Sequence, residues 1–121
     1  MNYLPIFYDI REQPCLVVGG GSIALRKAEL LLKANASLKL VAPVIHEDLR
    51  AMAAVGRLEL EQREFRASDL DGLACVIAAT DDEVLNAEIS RLARARQLPV
   101  NVVDNQDLCS FIMPSMVDRN P

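Results

Sequence analysis

Cys15-Leu16-Val17-Val18-Gly19-Gly20-Gly21-Ser22-Ile23-Ala24 reads as a buried strand, a glycine turn and the first residues of a helix. Gly19, Gly21 and Ala24 fit the G-x-G-x-x-G/A spacing of a turn that receives a dinucleotide. In such a turn the first glycine lets the chain leave the strand sharply. The second lets the backbone approach a pyrophosphate, and the third position is small so that helix and strand can touch. The helix that follows aims its unpaired N–H groups and positive dipole end at the same spot, where an anion is stabilised. A lone match of this kind is weak. Its place between a strand and an amphipathic segment gives it weight.

Working outward, apolar runs of strand length alternate with longer segments of helical period. The first strand covers Cys15 to Val18 and the first helix Ser22 to Ala34, with Ile23, Leu31 and Leu32 on its apolar side. Asn35 suits the left-handed conformation that ends many helices. Leu38 to Ala42 is the second strand, stopped by Pro43, and Glu47 to Val55 a second helix, closed by Gly56. Leu58-Glu59-Leu60-Glu61 alternates as an edge strand with one wet face. Ala74 to Ala79 is continuously apolar, as a strand buried on both faces is. Thr80-Asp81-Asp82 then offers capping oxygens for a helix from Glu83 to Arg96 that buries Leu85, Ile89 and Leu92. Pro99 to Val103 is the next strand, Asp104-Asn105 a turn, and Ser110 to Met113 a last short strand before Pro114.

Helices inserted between apolar strands imply a parallel sheet with right-handed crossovers. The expected fold is α/β, a Rossmann-like doubly wound parallel sheet with strand order 3-2-1-4-5-6. Such sheets bind ligands beyond the carboxyl ends of their strands, where the order reverses. Gly19 to Ser22, Pro43 and Val44, Thr80 and Asp81, and Asp104 all fall on that rim.

Composition sets bounds on partners. The 121 residues form one domain, 51% hydrophobic and 25% charged, which marks an ordinary globular chain rather than a disordered one. Met1-Asn2-Tyr3-Leu4-Pro5 lacks the basic start and apolar core of a signal peptide, and no apolar run nears the roughly 18 residues of a membrane span. A cytoplasmic protein with no membrane partner is expected. The net charge is −4, whereas nucleic-acid binding needs a basic face. Arg91-Leu92-Ala93-Arg94-Ala95-Arg96 sits at a helix end, where the dipole favours cations without any nucleic acid. Cys15 and Cys75 lie in apolar strands and read as core residues, while Cys109 stays open. His46, the only histidine, reads as a helix-start or surface residue, and no set of metal ligands stands out.

Two rim positions carry the chemistry. The second strand of such a fold normally delivers an acid to the adenosine ribose about 20 residues beyond the glycines. Val41-Ala42-Pro43-Val44 stands there instead, with no Arg or Lys beside it to attract a 2′-phosphate. Backbone groups of Pro43 and Val44 can hold the ribose, and a mild preference for NAD is expected. Asp104 is the one acid placed to act as a base on a bound substrate, although Asp104-Asn105 is also good turn chemistry. Asp81 and Asp82 read as helix-capping residues, and Asn101 shares a strand with Asp104. No Ser/His/Asp set or phosphate loop of the G-x-x-x-x-G-K-[ST] type occurs.

Several motifs together resemble the N-terminal domain of siroheme synthase. They are Tyr3-Leu4-Pro5-Ile6-Phe7, Val17-Val18-Gly19-Gly20-Gly21 followed by Ala24-Leu25-Arg26-Lys27, and Ala78-Ala79-Thr80-Asp81-Asp82. Asn101-Val102-Val103-Asp104 and Ser110-Phe111-Ile112-Met113-Pro114-Ser115 with Asp118-Arg119 complete the set, in the same order and spacing. The resemblance implies a precorrin-2 dehydrogenase that uses NAD to form sirohydrochlorin, and a ferrochelatase that then inserts ferrous iron. It places the family's key aspartate on Asp104, for proton removal and help in chelation. The family's NAD contacts fall on Ser22, Ile23, Pro43 and Val44, and the glycine turn and strand-end rim add Gly19, Gly21 and Thr80 as cofactor-binding residues. Arg11, Arg63 or Arg119 would offset the substrate's carboxylates. Residues 1–113 would form the NAD-binding domain, and 114–121 would begin a dimerisation region, with a homodimer in the full-length protein and in some relatives a methyltransferase domain beyond.

Two rival readings share the fold. A non-catalytic NAD-sensing regulatory domain needs no base at Asp104 but would usually keep the ribose acid that is missing here. A dehydrogenase half without its substrate domain fits the tail through Asp118-Arg119 less well.

Overall fold

The computed structural model describes residues 2–113. In chain order it contains β1 (Pro14–Val18), α1 (Ser22–Lys33), β2 (Ser37–Val41), α2 (Glu47–Ala54), β3 (Glu59–Glu61), β4 (Cys75–Ala78), α3 (Glu83–Ala95) and β5 (Val100–Val102). Two single 3-10 turns, Ala67–Leu70 and Gln106–Leu108, lie in the connections before β4 and after β5. The strands form one sheet in the order β3-β2-β1-β4-β5, with every neighbouring pair parallel. The direction of winding reverses between β1 and β4, as the alternation of strands and helices implies.

Both faces of the sheet are covered, so the central strands are apolar at successive positions rather than alternate ones. Cys15 and Val17 of β1 face α1 and α2 together with Cys75 and Ile77 of β4. Leu16 and Val18 face the opposite way and pack with Val76, Ala78 and Ile89 of α3. Cys15 and Cys75 are free and buried, with Sγ atoms 3.5 Å apart. Asn35 (φ 61°) and Gly56 (φ 79°) end the first two helices in the left-handed conformation, and Gln97 (φ 57°) does the same for α3.

Two details differ from the sequence reading. The buried stripe of α3 is Asn86, Ile89, Ser90 and Ala93, with Leu85 and Leu92 only partly covered. Small side chains let the helix lie close to the sheet, and the two polar ones are satisfied. Ser90 donates to the Leu108 carbonyl at 2.6 Å, and Asn86 binds Thr80 as described below.

The expected sixth strand at Ser110–Met113 is not formed, so the described sheet has order 3-2-1-4-5. Side chains finish the open edge of β5 in place of a backbone ladder. Val100 N–H donates to Ser110 Oγ at 2.8 Å and Val102 N–H to Cys109 Sγ at 3.0 Å. Asn101 Nδ2 donates to the Phe111 carbonyl at 3.1 Å, and a backbone bond runs from Ser110 N–H to the Val100 carbonyl at 2.8 Å. Cys109, left open by the sequence, is thus a buried partner of the edge strand. The expected dimerisation region, 114–121, lies outside the described residues, as does Arg119.

Candidate functional site

The loops after β1, β2, β4 and β5 surround a cleft of about 1050 Å³ at the carboxyl end of the sheet. Gly19, Gly21, Ser22, Ile23, Pro43, Val44, Thr80 and Asp104 all line it. A smaller depression of about 470 Å³, lined by Tyr8, Ala74, Arg96 and Pro99 among others, lies near the amino ends of β4 and β5. It touches none of the residues selected from the sequence.

The glycine turn is shaped by two close approaches and one open side. Gly19 has φ 133°, and a Cβ there would collide with the Ala79 carbonyl. A Cβ on Gly20 would collide with the Val44 carbonyl, while the Gly20 carbonyl accepts the His46 N–H at 2.6 Å. The spacing pattern assigns Gly20 no task, yet this residue locks the first loop against the second. Around Gly21 a Cβ would meet nothing within 4 Å, so this is the side from which a ligand can reach the backbone. Ala24, the small third position, is fully buried.

Helix termini supply the electrostatics. His46 Nδ1 accepts the Asp48 N–H at the start of α2, which gives the histidine the helix-start role read from the sequence. Asp82 Oδ1 accepts the Val84 and Leu85 N–H groups at the start of α3. Gly21 at the start of α1 has no side chain with which to cap, and the first turn of α1 carries no acid. The first N–H groups of α1 therefore remain available to an anion at the mouth of the cleft. Open backbone at Gly21, a small buried Ala24 and an uncapped α1 together fit a dinucleotide pyrophosphate.

On the β2 side, Val41-Ala42-Pro43-Val44 forms the wall without a charged group. Gln62 Nε2 donates to the Pro43 carbonyl at 3.0 Å and Arg50 donates to Gln62 Oε1 at 2.9 Å, fixing the loop after β3 to the loop after β2. That contact brings Glu64 and Phe65 onto the wall, two residues that no motif identified. On the β4 side, Thr80 Oγ1 donates to Asn86 Oδ1 at 2.6 Å and Asn86 Nδ2 donates to the Thr80 carbonyl at 3.0 Å. Asn86 was also missed. Its only signal was an amide on the helical stripe that faces the sheet.

Asp104 is exposed at the cleft and adopts φ 58°, a conformation that Asp and Asn tolerate better than most residues. Its carboxylate has no ion-pair partner among the described residues. Asp82 is committed to capping α3, whereas Asp81 is exposed and also lines the cleft. Two of the cations expected to meet substrate carboxylates, Arg11 and Arg63, are engaged elsewhere. Arg11 pairs with Asp9 at 2.8 Å, and Arg63 with Asp69 at 2.6 Å and Glu61 at 3.0 Å. The Arg63 guanidinium beside Asp69 holds that carboxyl below its usual range, helped by the Arg66 N–H.

Known proteins resemble this chain over most or all of its length. The chain is 54% identical to the siroheme synthase of Pseudomonas aeruginosa strain PAO1 over 121 residues, covering 100% of this chain and 26% of that protein. It is 53% identical to the siroheme synthase of Methylobacillus flagellatus with the same coverage, so it spans about a quarter of these curated relatives. The solved structure of SirC, a precorrin-2 dehydrogenase, superposes with a TM-score of 0.73 at 25% identity, over 94% of this chain and 53% of that one. A family model described as "Putative NAD(P)-binding" matches residues 6–115. The glycine turn, the doubly wound sheet and this match have one meaning: the chain belongs to the NAD_binding_7 family of NAD(P)-binding domains.

Proposed function

We propose that this chain is the NAD-dependent dehydrogenase unit of a siroheme-forming protein and oxidises precorrin-2 to sirohydrochlorin. The observation that carries the reading is Asp104, a carboxylate with no ion-pair partner among the described residues, in the same cleft as the glycine turn. The likeness to siroheme synthases over the whole chain and to SirC supports the choice of substrate.

In this mechanism Gly21, Ser22 and Ile23 offer the uncapped N–H groups of α1 to the pyrophosphate. Pro43 and Val44 border the ribose, and Thr80, fixed by Asn86, borders the β4 side. NAD, when bound, supplies a hydride acceptor. Asp104 takes the proton released as the tetrapyrrole loses a hydride, so the two electrons leave with the hydride and the proton stays on the carboxyl. Holding the reactants in one cleft supplies much of the rate, and the base about a hundred- to ten-thousandfold.

Among the described residues no three His, Cys, Asp or Glu side chains gather as a metal site. The reading takes residues 1–113 as the NAD-binding domain, 114–121 as the lead into a dimerisation region, and the working protein as a cytoplasmic homodimer. No described helix is long and apolar enough to cross a membrane.

Incubating the protein with precorrin-2 and NAD tests the proposal. Formation of sirohydrochlorin with matching NADH is expected. NAD binding without any turnover would favour a nucleotide-sensing domain instead.

A further inference from the structure

The wall of the cleft carries Glu64, Asp81, Asp82, Glu83 and Asp104, and none of its lining residues among those described is Lys, Arg or His. The sheet order divides these acids. Asp81, Asp82 and Glu83 follow β4 and Asp104 follows β5, all on one side of the point where the winding reverses. Glu64 follows β3 and, among the described residues, is the only lining carboxylate on the β2–β3 side. In doubly wound nucleotide-binding sheets that side receives the adenosine ribose, whose hydroxyls usually meet an acid on the second strand. Here that strand ends in Val41-Ala42-Pro43-Val44 and offers none.

We propose that Glu64 takes over the discriminating task of the missing acid and makes this site select NAD against NADP. The inference rests on the cleft being the nucleotide site. A carboxylate is an acceptor only, so it suits a ribose hydroxyl and opposes a 2′-phosphate.

The residues before Glu64 hold it in place. Gln62 is bonded to the Pro43 carbonyl, and Arg63 Nη1 donates both to Asp69 and, at 3.0 Å, to the Glu64 carbonyl. The same bonds orient the two nearby guanidinium groups away from the cleft lining, which contains neither. Arg50 is occupied by Gln62, and Arg63, whose side chain is 21% exposed, is held between Asp69 and Glu61. Among the described lining residues the β2–β3 side therefore presents one charge to the ribose, and it is negative.

The test measures dissociation constants of NAD and NADP for the protein, for Glu64→Gln and Glu64→Arg, and for Glu29→Gln on the exposed face of α1 as a control for net charge. The wild type is expected to favour NAD by about tenfold or more, and added salt to narrow the gap by screening. Glu64→Gln should reduce the preference several-fold and Glu64→Arg should abolish it, mainly through tighter NADP binding. Glu29→Gln should leave the ratio unchanged. A ratio unaltered in both Glu64 variants that still bind NAD, or a wild type that prefers NADP, would overturn the proposal. Binding of neither nucleotide by the wild type would overturn the cofactor reading, and this inference with it.

Discussion

Asn86, in the first turns of α3, clasps Thr80 just beyond β4 through three hydrogen bonds: it accepts from the hydroxyl at 2.6 Å and from the N–H at 3.4 Å, and donates to the carbonyl at 3.0 Å. The helix thereby fixes the loop that forms one wall of the cleft. Asn86 is buried, so its removal takes a partner from the Thr80 carbonyl and N–H and leaves the hydroxyl only its bonds with the Asp82 backbone. Asn86→Ala is expected to cost about 1–3 kcal/mol in urea unfolding. It should also weaken NAD binding several-fold under conditions where the variant is fully folded. Unchanged affinity in the folded variant would show that the loop needs no clasp.

Adjacent glycines should fail in different ways. Gly20→Ala drives a Cβ into the Val44 carbonyl and should destabilise the fold by about 1–3 kcal/mol. Gly21→Ala meets no protein atom and should cost about 1 kcal/mol or less, as an exchange at a helix N-cap. Its added methyl points into the side left open to the ligand, so NAD affinity should fall well below that of the wild type. Thermal unfolding and nucleotide titration of the two variants separate these effects. Equal stability losses, or normal NAD binding by Gly21→Ala, would contradict the assignment.

The Arg63–Asp69 pair predicts how the chain meets acid. Asp69 is held below its usual range first by Arg63 and then by the Arg66 N–H, and its side chain is 6% exposed. A carboxyl depressed in the folded state contributes stability above its unfolded value near 3.9 and loses it as the pH falls towards the folded value. Asp69→Asn should be less stable than the wild type at pH 7 by about 1–2 kcal/mol, with solvent screening allowed for. The gap should close below about pH 4. A constant gap from pH 7 to pH 3 would mean that the pair contributes through shape alone.

Cys109 replaces a strand partner for the Val102 N–H, so Cys109→Ala should leave that donor buried and unpaired. A loss of about 1–3 kcal/mol is expected. Amide exchange at Val102 should accelerate by more than exchange at Val17, inside the sheet. Equal acceleration at both positions would indicate a general loss of stability instead.

The sequence carried the repeating parts of the fold openly. Doubly buried strands such as Cys75–Ala78 are continuous apolar runs, and the glycine turn and the Asp82 cap have local signatures that tertiary structure seldom overrides. Less visible were features set by contacts between distant segments. Gly20 looks like a spacer until the Val44 carbonyl lies against it. Glu64 has no motif of its own and joins the cleft only because Gln62 ties its loop to Pro43. The apolar run at Phe111 to Met113 suggested a strand by composition, but side chains of Cys109 and Ser110 had already satisfied the edge it would have paired with. On α3 the largest apolar residues suggested the buried stripe, whereas close approach to the sheet selected Ala93 and the satisfied polar residues Asn86 and Ser90.

The central claim is that Asp104 is the base of an NAD-dependent oxidation. Asn tolerates the φ of 58° at this position, so Asp104→Asn should fold normally and bind NAD as the wild type does. The measurement is the rate of sirohydrochlorin formation from precorrin-2 and NAD by the wild type and by Asp104→Asn at saturating nucleotide. The account predicts a loss of about a hundred- to ten-thousandfold in kcat with NAD affinity retained. A variant that oxidises precorrin-2 at the wild-type rate would contradict it.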